Sequence, residues 1–534
     1  MAFLRVSLVL LSSFISVSTQ SQNVFETPKP LWTTFHHPIR RVAVVGAGPA
    51  GLQAAAKLIE HNFTVRLFER APHPGGNWLY SEETPVREPY PDKPVGQTAE
   101  IPAKLPMTRY YGEGDDGLTL DDRWREHWQP RPLWDSLHIN TPKVSTELPD
   151  VKYDPDTPWV VSNRAVQRHL RSYASHHCLN SNDHCPATAS APPATVYSTR
   201  VEKVEKNMEA HTWVLTLRRL ERLHESHRIV AKWWTETFDA VVLATGPYTA
   251  PHVPDIDGIV DWSKATEGAI QRISLTGIPA SSATVLIVGA SVSASEIARD
   301  LGFFAHRIIA SVRPANDSMP SMRQLDLSRF PNITEFVPEI AFLEPLSGHC
   351  NGIRSGKIHL INGSVLQGID EMILATGFRG YAWFPPNSTT KRPENIHWTG
   401  HYIPDPTLAY TFGRPWTLGR YQSYGLAKVW EGSARLPTSE QMKLEEEYWR
   451  EWLGEAVFRR YITWLNNASL EHGGRFVEPP PIENLEVLKY YMLVYLLNNT
   501  MNLDSIGNFD ISILSGQLGD KDAWEALVDE DDDW

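Results

Sequence analysis

The sequence predicts an α/β chain of two doubly wound domains, one inserted in the other, followed by a helical C-terminal part. Three observations predict it. An apolar strand, a glycine-rich turn and a helix follow one another over Val42–Glu60. The same order returns from Thr284. Two further apolar strands end in one tripeptide, Ala244-Thr245-Gly246 and Ala375-Thr376-Gly377. Fully apolar strands alternating with helices are the mark of parallel sheets covered on both faces.

The first unit is Val42-Ala43-Val44-Val45, then Gly46-Ala47-Gly48-Pro49-Ala50-Gly51, then a helix over Leu52–Glu60. Gly46 permits the tight turn, Gly48 lets backbone approach a pyrophosphate, and Gly51 lets helix and strand pack closely. The free N–H groups and positive end of the helix face the phosphates. A second strand, Thr64–Phe68, leads into Glu69, 18 residues after Gly51. A carboxylate there can accept both ribose hydroxyls of an adenosine. Strand, turn, helix and acid in register identify a dinucleotide-binding, Rossmann-like unit whose contacts include Pro49, Ala50 and Arg70. Pro74-Gly75-Gly76-Asn77-Trp78 follows. Its glycines could bring backbone to a diphosphate or flavin, and Trp78 could wall the ring; read alone, it could equally be a plain turn.

The second unit is Val285-Leu286-Ile287-Val288, then Gly289-Ala290-Ser291-Val292-Ser293-Ala294. Ser291 and Ala294 stand where the second and third glycines would be. Both are small, so close approach survives in a weaker motif. The next strand, Arg307–Ser311, runs into Val312-Arg313 and carries no acid. An arginine there can clamp a 2′-phosphate, which favours NADPH over NADH; the alternative is a structural βαβ unit with no ligand. Two units imply two cofactors, NADPH giving hydride to a flavin. The three cysteines, Cys178, Cys185 and Cys350, form no C-x-x-C pair. Dithiol redox chemistry, and with it a disulfide reductase, is therefore excluded.

The 534 residues allow two or three domains, and 42% hydrophobic content makes the chain globular. A net charge of −13 argues against a nucleic-acid partner. Nineteen tryptophans suit aromatic walls or, more simply, core filling. Residues 1–18 have the form of a secretory signal: Arg5 as the charged region, Val6–Val17 as the apolar region, Ser16 and Ser18 before a cut. The run is too short for a comfortable, stable membrane span, although an uncleaved anchor is the alternative. Seven sequons, at Asn62, Asn316, Asn332, Asn362, Asn387, Asn467 and Asn498, support passage through the secretory pathway, with secretion and N-glycosylation. A Cys178–Cys185 disulfide would suit that compartment and leave Cys350 free. Residues 19–37 look irregular, and 80–133 and 178–195 read as long polar loops. Thr438 and Gln441 offer a capping box for a C-terminal helix. Leu485–Leu497 reads as a buried helix and Asp529–Trp534 as a solvated acidic tail.

These stretches, with Ser136-Leu137-His138-Ile139-Asn140-Thr141-Pro142-Lys143, occur in an order that resembles the class B flavin monooxygenases, the flavin-containing monooxygenase family and its Baeyer–Villiger relatives. The resemblance covers roughly residues 40–440 and is strongest to fungal secondary-metabolite members. It implies an FAD-binding domain over 38–250 and 373–470, an inserted NADPH-binding domain over 251–372, and an extension over 471–534. Cofactor contacts then fall on Gly46, Gly48, Gly51, Glu69, Gly76, Asn77, Trp78, Asn140, Thr141, Ala244, Thr245, Gly246, Gly289, Ser291, Ala294, Arg313, Thr376 and Gly377. Asn140 is implied as the catalytic amide beside the flavin. The implied reaction uses NADPH, FAD and O2 to oxygenate a small organic metabolite, such as an aromatic polyketide, through a C4a-(hydro)peroxyflavin. One departure stands out: the family's F-x-G-x-x-x-H is here Thr266-Glu267-Gly268-Ala269-Ile270-Gln271-Arg272, which keeps only the glycine. That leaves room for a flavoprotein oxidase or dehydrogenase, or a secreted non-catalytic subunit working with partner enzymes of a biosynthetic complex.

Overall fold

The computed structural model describes residues 32–83, 101–131, 133–180, 194–246, 248, 251–265, 270–272, 283–313, 327, 330–346, 353–378, 395–411, 416–449 and 455–479. The signal-like segment, the sequons at Asn316, Asn387 and Asn498, Leu485–Leu497 and the acidic tail lie outside these residues.

Two all-parallel five-stranded sheets carry the fold. The first has the order β17 (Leu408–Tyr410), β8 (Ala240–Leu243), β1 (Arg41–Val45), β2 (Thr64–Phe68), β4 (Thr195–Val196). The second has the order β12 (Thr334–Pro338), β11 (Arg307–Val312), β10 (Thr284–Val288), β16 (Glu371–Leu374), β9 (Ile270–Arg272). In each, the strand before the glycine turn lies between its βαβ partner and the strand that ends in Ala-Thr-Gly. Because β16 pairs with β10, the second sheet runs on to Leu374, two residues past the expected edge at 372. The chain rejoins the first sheet at β17.

Alternate side chains of each strand enter opposite layers. Val42 and Val44 pack with helices α1 (Pro49–Glu60), α3 (Asn163–His176) and α6 (Trp416–Glu431). Ala43 and Val45 pack instead with an antiparallel sheet. That sheet has the order β3 (Met107–Tyr111), β7 (Arg228–Phe238), β6 (Thr212–Leu223), β5 (Thr199–Asn207). The second parallel sheet is covered on one face by α5 (Val292–Leu301). Its other face meets α4 (Ile259–Ala265) and the strands β13 (Ile340–Leu343), β14 (Ile358–Leu360) and β15 (Val365–Leu366).

The stretch 80–133 is not only loop. It holds β3 and α2 (Leu120–Trp128), whose N-cap Thr119 accepts from the Asp122 N–H. The density of Pro, Gly and Asp hid them, since β3 gains its hydrogen bonds from β7, over a hundred residues away. The helical C-terminal part is confirmed by α6, α7 (Ser439–Trp449) and α8 (Glu455–His472). Thr438 caps α7 as expected, accepting from the Gln441 N–H at 3.3 Å. Cys178 is in a disulfide; the other two cysteines lie outside the described residues. Among the described residues, eight tryptophans fill core, with Trp213 and Trp262 fully enclosed.

Candidate functional site

The first glycine turn is built by steric exclusion. Gly46 has φ +104°, and a β-carbon on it would stand 2.6 Å from the Ala244 carbonyl oxygen. One on Gly51 would stand 1.8 Å from the Gly46 carbonyl oxygen, so any side chain pushes α1 off β1. Gly76, at φ +56°, approaches Gly48 so closely that a β-carbon would lie 2.7 Å from its Cα. The Gly75-Gly76 turn therefore closes over the first turn as a second backbone layer. The N-cap of α1 is Gly48, with no side-chain cap, and Pro49 at the first turn has no N–H to satisfy. The remaining N–H groups stay available to an anion. Ala47 and Ala50 are buried beneath the turn.

Glu69 lies at the mouth of this turn, 3% exposed. Its carboxylate accepts from the Ala47 N–H at 2.7 Å and the Ala71 N–H at 2.9 Å, and pairs with Arg131 at 3.5 Å. A carboxylate has about four acceptor positions, so capacity for a ribose hydroxyl remains. The Arg131 Nε also donates to the Gly76 carbonyl oxygen at 3.1 Å. Arg131 thus ties the acid to the second glycine layer, and sequence reasoning missed it. It lies 62 positions from Glu69, and no spacing marks such a pair. Half-buried Arg70 donates to Gln129 and faces Arg131; burial, then that like charge, pushes its guanidinium well below its usual range.

Asn77 reaches Gly246: its amide nitrogen would lie 3.7 Å from a β-carbon there. Trp78 meets the Trp416 ring edge-on, centroids 6.3 Å apart. Ile139 is buried in the same core as Ala47, Ala244 and Trp78, which brings the Asn140-Thr141 turn to this unit. Asn140 and Thr141 are half-buried.

The second unit repeats the first. Gly289 has φ +121°, and its β-carbon would stand 2.4 Å from the Ala375 carbonyl oxygen. Ala294 is fully buried where a third glycine would pack, so a methyl group fits. Ser291 is the N-cap of α5 but makes no side-chain cap, and it is exposed. Arg313 directly follows β11, its side chain 63% exposed and paired with Glu339 at 3.3 Å. The Thr376 hydroxyl donates to the His252 carbonyl oxygen at 2.6 Å, and the Gly377 carbonyl accepts from the His252 N–H at 2.8 Å. That pair knits the two chain crossings between the units. Gly246 and Gly377 both hold left-handed conformations, φ +66° and +85°. Of the divergent Thr266–Arg272 stretch, Ile270–Arg272 form the edge strand β9; the rest lies outside the described residues.

The family profile described as pyridine nucleotide-disulphide oxidoreductase matches residues 40–322. The flavin-containing monooxygenase iboF of Amanita muscaria is 33% identical over 83% of this chain and 91% of its own length. The flavin-containing monooxygenase ustF2 of Aspergillus flavus is 28% identical over 76% of this chain and 85% of its own. Among solved structures, the S-allyl-L-cysteine S-oxygenase of Allium sativum aligns with a TM-score of 0.57 at 20% identity, covering 90% of this chain and 97% of that one. The protein Tmm of Pelagibacter aligns with a TM-score of 0.58 at 15% identity, covering 88% and 93%. The structural likenesses show the shared two-domain fold, and the sequence identity shows the rest: the chain belongs to the flavin-containing monooxygenases, enzymes that use FAD, NADPH and O2 on small molecules.

Proposed function

We propose that the Gly46–Gly51 turn holds the FAD diphosphate, with Glu69 on the adenosine ribose and Asn140 beside the flavin. The Gly289 turn and Arg313 would then hold NADPH. The observation that carries this reading is the pair of equivalent turns, each glycine seated on an Ala-Thr-Gly carbonyl, under a helix N-terminus with no side-chain cap. Bound FAD supplies the redox chemistry: two electrons from NADPH, one oxygen atom to substrate and the other to water. The chain's own work is positioning and water exclusion. Gly48 and Gly76 present backbone to the diphosphate, Trp78 walls the ring, and the Asn140 amide donates to oxygen atoms near it.

The substrate is a small organic metabolite of the secondary-metabolite type, an aromatic polyketide being one such class. Passage through the secretory pathway is supported by the disulfide at Cys178 and by exposure of Asn62, Asn332, Asn362 and Asn467. No helix among the described residues is long and apolar enough to cross a membrane.

An oxidase reading is favoured by the reduced second glycine motif and by Glu339 already engaging Arg313. Turnover under isotopically labelled O2 separates the two. One labelled oxygen in product supports oxygenation. Peroxide equal to substrate consumed, with no label in product, overturns it.

A further inference from the structure

Asn140 stands at the end of a strap that touches both units. The Trp134 indole is buried in the core of the second unit, with Ala294, Ile297 and Ala298 of α5. Its Nε1 donates to the Asp300 carboxylate at 2.9 Å, and the Ser136 hydroxyl donates to the same oxygen, Oδ2, at 2.5 Å. The other Asp300 oxygen accepts from the Arg299 Nε at 2.9 Å. Leu137 packs against the same core.

The strap's other face belongs to the first unit. Asn163, the first residue of α3 and fully buried, donates its side-chain amide to the Trp134 carbonyl at 2.7 Å. Its N–H donates to the Leu137 carbonyl at 2.9 Å. The Ile139 N–H then donates to the Val161 carbonyl at 2.9 Å, and Ile139 enters the first core. Asn140 is the next residue. Between Trp134 and Asn140 the chain therefore passes from one hydrophobic core to the other in six residues.

We propose that Trp134, Ser136 and Asp300 are positioning residues that set Asn140 against the flavin according to where the nicotinamide-binding unit stands. The physical reason is leverage. The strap is fixed to α5 by two hydrogen bonds to one charged oxygen, bonds of the stronger kind. Asn140 follows within one turn of backbone, so a shift of α5 reaches its amide with little slack. When the second unit is seated, the amide is held in place; when the unit moves, the amide loosens with it. A purely structural interface would have no such consequence at Asn140. The consequence for oxygen chemistry rests on the oxygenase reading above; the mechanical linkage does not.

The test uses the full-length FAD-loaded protein and two variants. Asp300→Asn keeps a carbonyl oxygen as the shared acceptor for Trp134 and Ser136, and gives up the charge on it and the pair with Arg299. Asp300→Leu removes the shared acceptor. Backbone hydrogen exchange over residues 133–142 is followed with and without NADP+. Peroxide release from NADPH without substrate is followed in parallel. In the native protein and Asp300→Asn, NADP+ should slow exchange over the strap. In Asp300→Leu that protection should disappear, and peroxide release should rise about tenfold, the order expected for losing a hydrogen bond to a charged group. KM for NADPH should change less than the rate of peroxide release. Native-like strap protection in Asp300→Leu overturns the linkage, as does an equal loss in Asp300→Asn. Failure of NADPH to reduce the native flavin overturns the oxygenase reading instead, while the exchange experiment still decides the strap.

Discussion

At the scale of single residues, space decides more than charge. Gly51→Ala would place a methyl group 1.8 Å from a backbone oxygen, so the protein should purify without flavin absorbance. Gly289→Ala meets a similar obstacle at 2.4 Å in the other unit. That variant should keep FAD and lose reduction by NADPH, a contrast read directly from absorbance spectra. Arg131→Ala leaves Glu69 buried with two N–H partners and without its ion pair to Arg131, and FAD affinity should fall about tenfold to a hundredfold. Flavin release on dilution measures it. Two histidines contribute to the acid response. Burial holds His401 down to about 3 and His169 down to about 4, and the Nε2 of His401 has no partner. Both are neutral in the fold, while the unfolded chain takes protons near pH ~6.5. Their contribution is complete above that pH and is lost as pH falls toward 4, at up to about 1.4 kcal/mol per unit for each. Denaturant titrations from neutral to mildly acid pH should show the decline, and His401→Gln should make it shallower. The glycine turns and the placing of Glu69 beside the first were legible because each sits at a fixed offset within one βαβ unit. Arg131 was not, because its partner is reached only through the fold.

At the scale of elements, periodicity marked what is locally determined. The strand Thr64–Phe68 ends where the sequence says, and α1 begins at Pro49 once the glycine turn is counted as its cap. The antiparallel sheet went unread, in part because the alternation of β5 changes phase at the register shift between Val201 and Lys203. Its inner face is specified jointly with β6 and the first parallel sheet, which no single window contains. The same sheet bears buried charge: Glu126 of α2 pairs with Arg200 at 2.7 Å and Arg218 at 2.9 Å. These pairs hold α2, and α2 delivers Arg131 to Glu69. The α1 layer should be the sensitive one for stability. Leu58 is fully buried there, and Leu58→Ala should cost about 2–4 kcal/mol in urea unfolding. A cost below about 1 kcal/mol would mean the layer repacks freely.

At the scale of the whole molecule, two equivalent units are joined by chain crossings tied by Thr376, Gly377 and His252. The repetition of turn and Ala-Thr-Gly strand exposed this plan in sequence; the exact seam, past Leu374, needed the strand pairing. The central claim is that the first turn holds a flavin and the second holds its reductant. Anaerobic mixing of the FAD-loaded protein with NADPH, followed by admission of O2, tests it most directly. The expected result is bleaching of the flavin by NADPH, absent in Gly289→Ala, and return of colour with O2. An oxidised flavin that stays coloured through saturating NADPH would contradict the account.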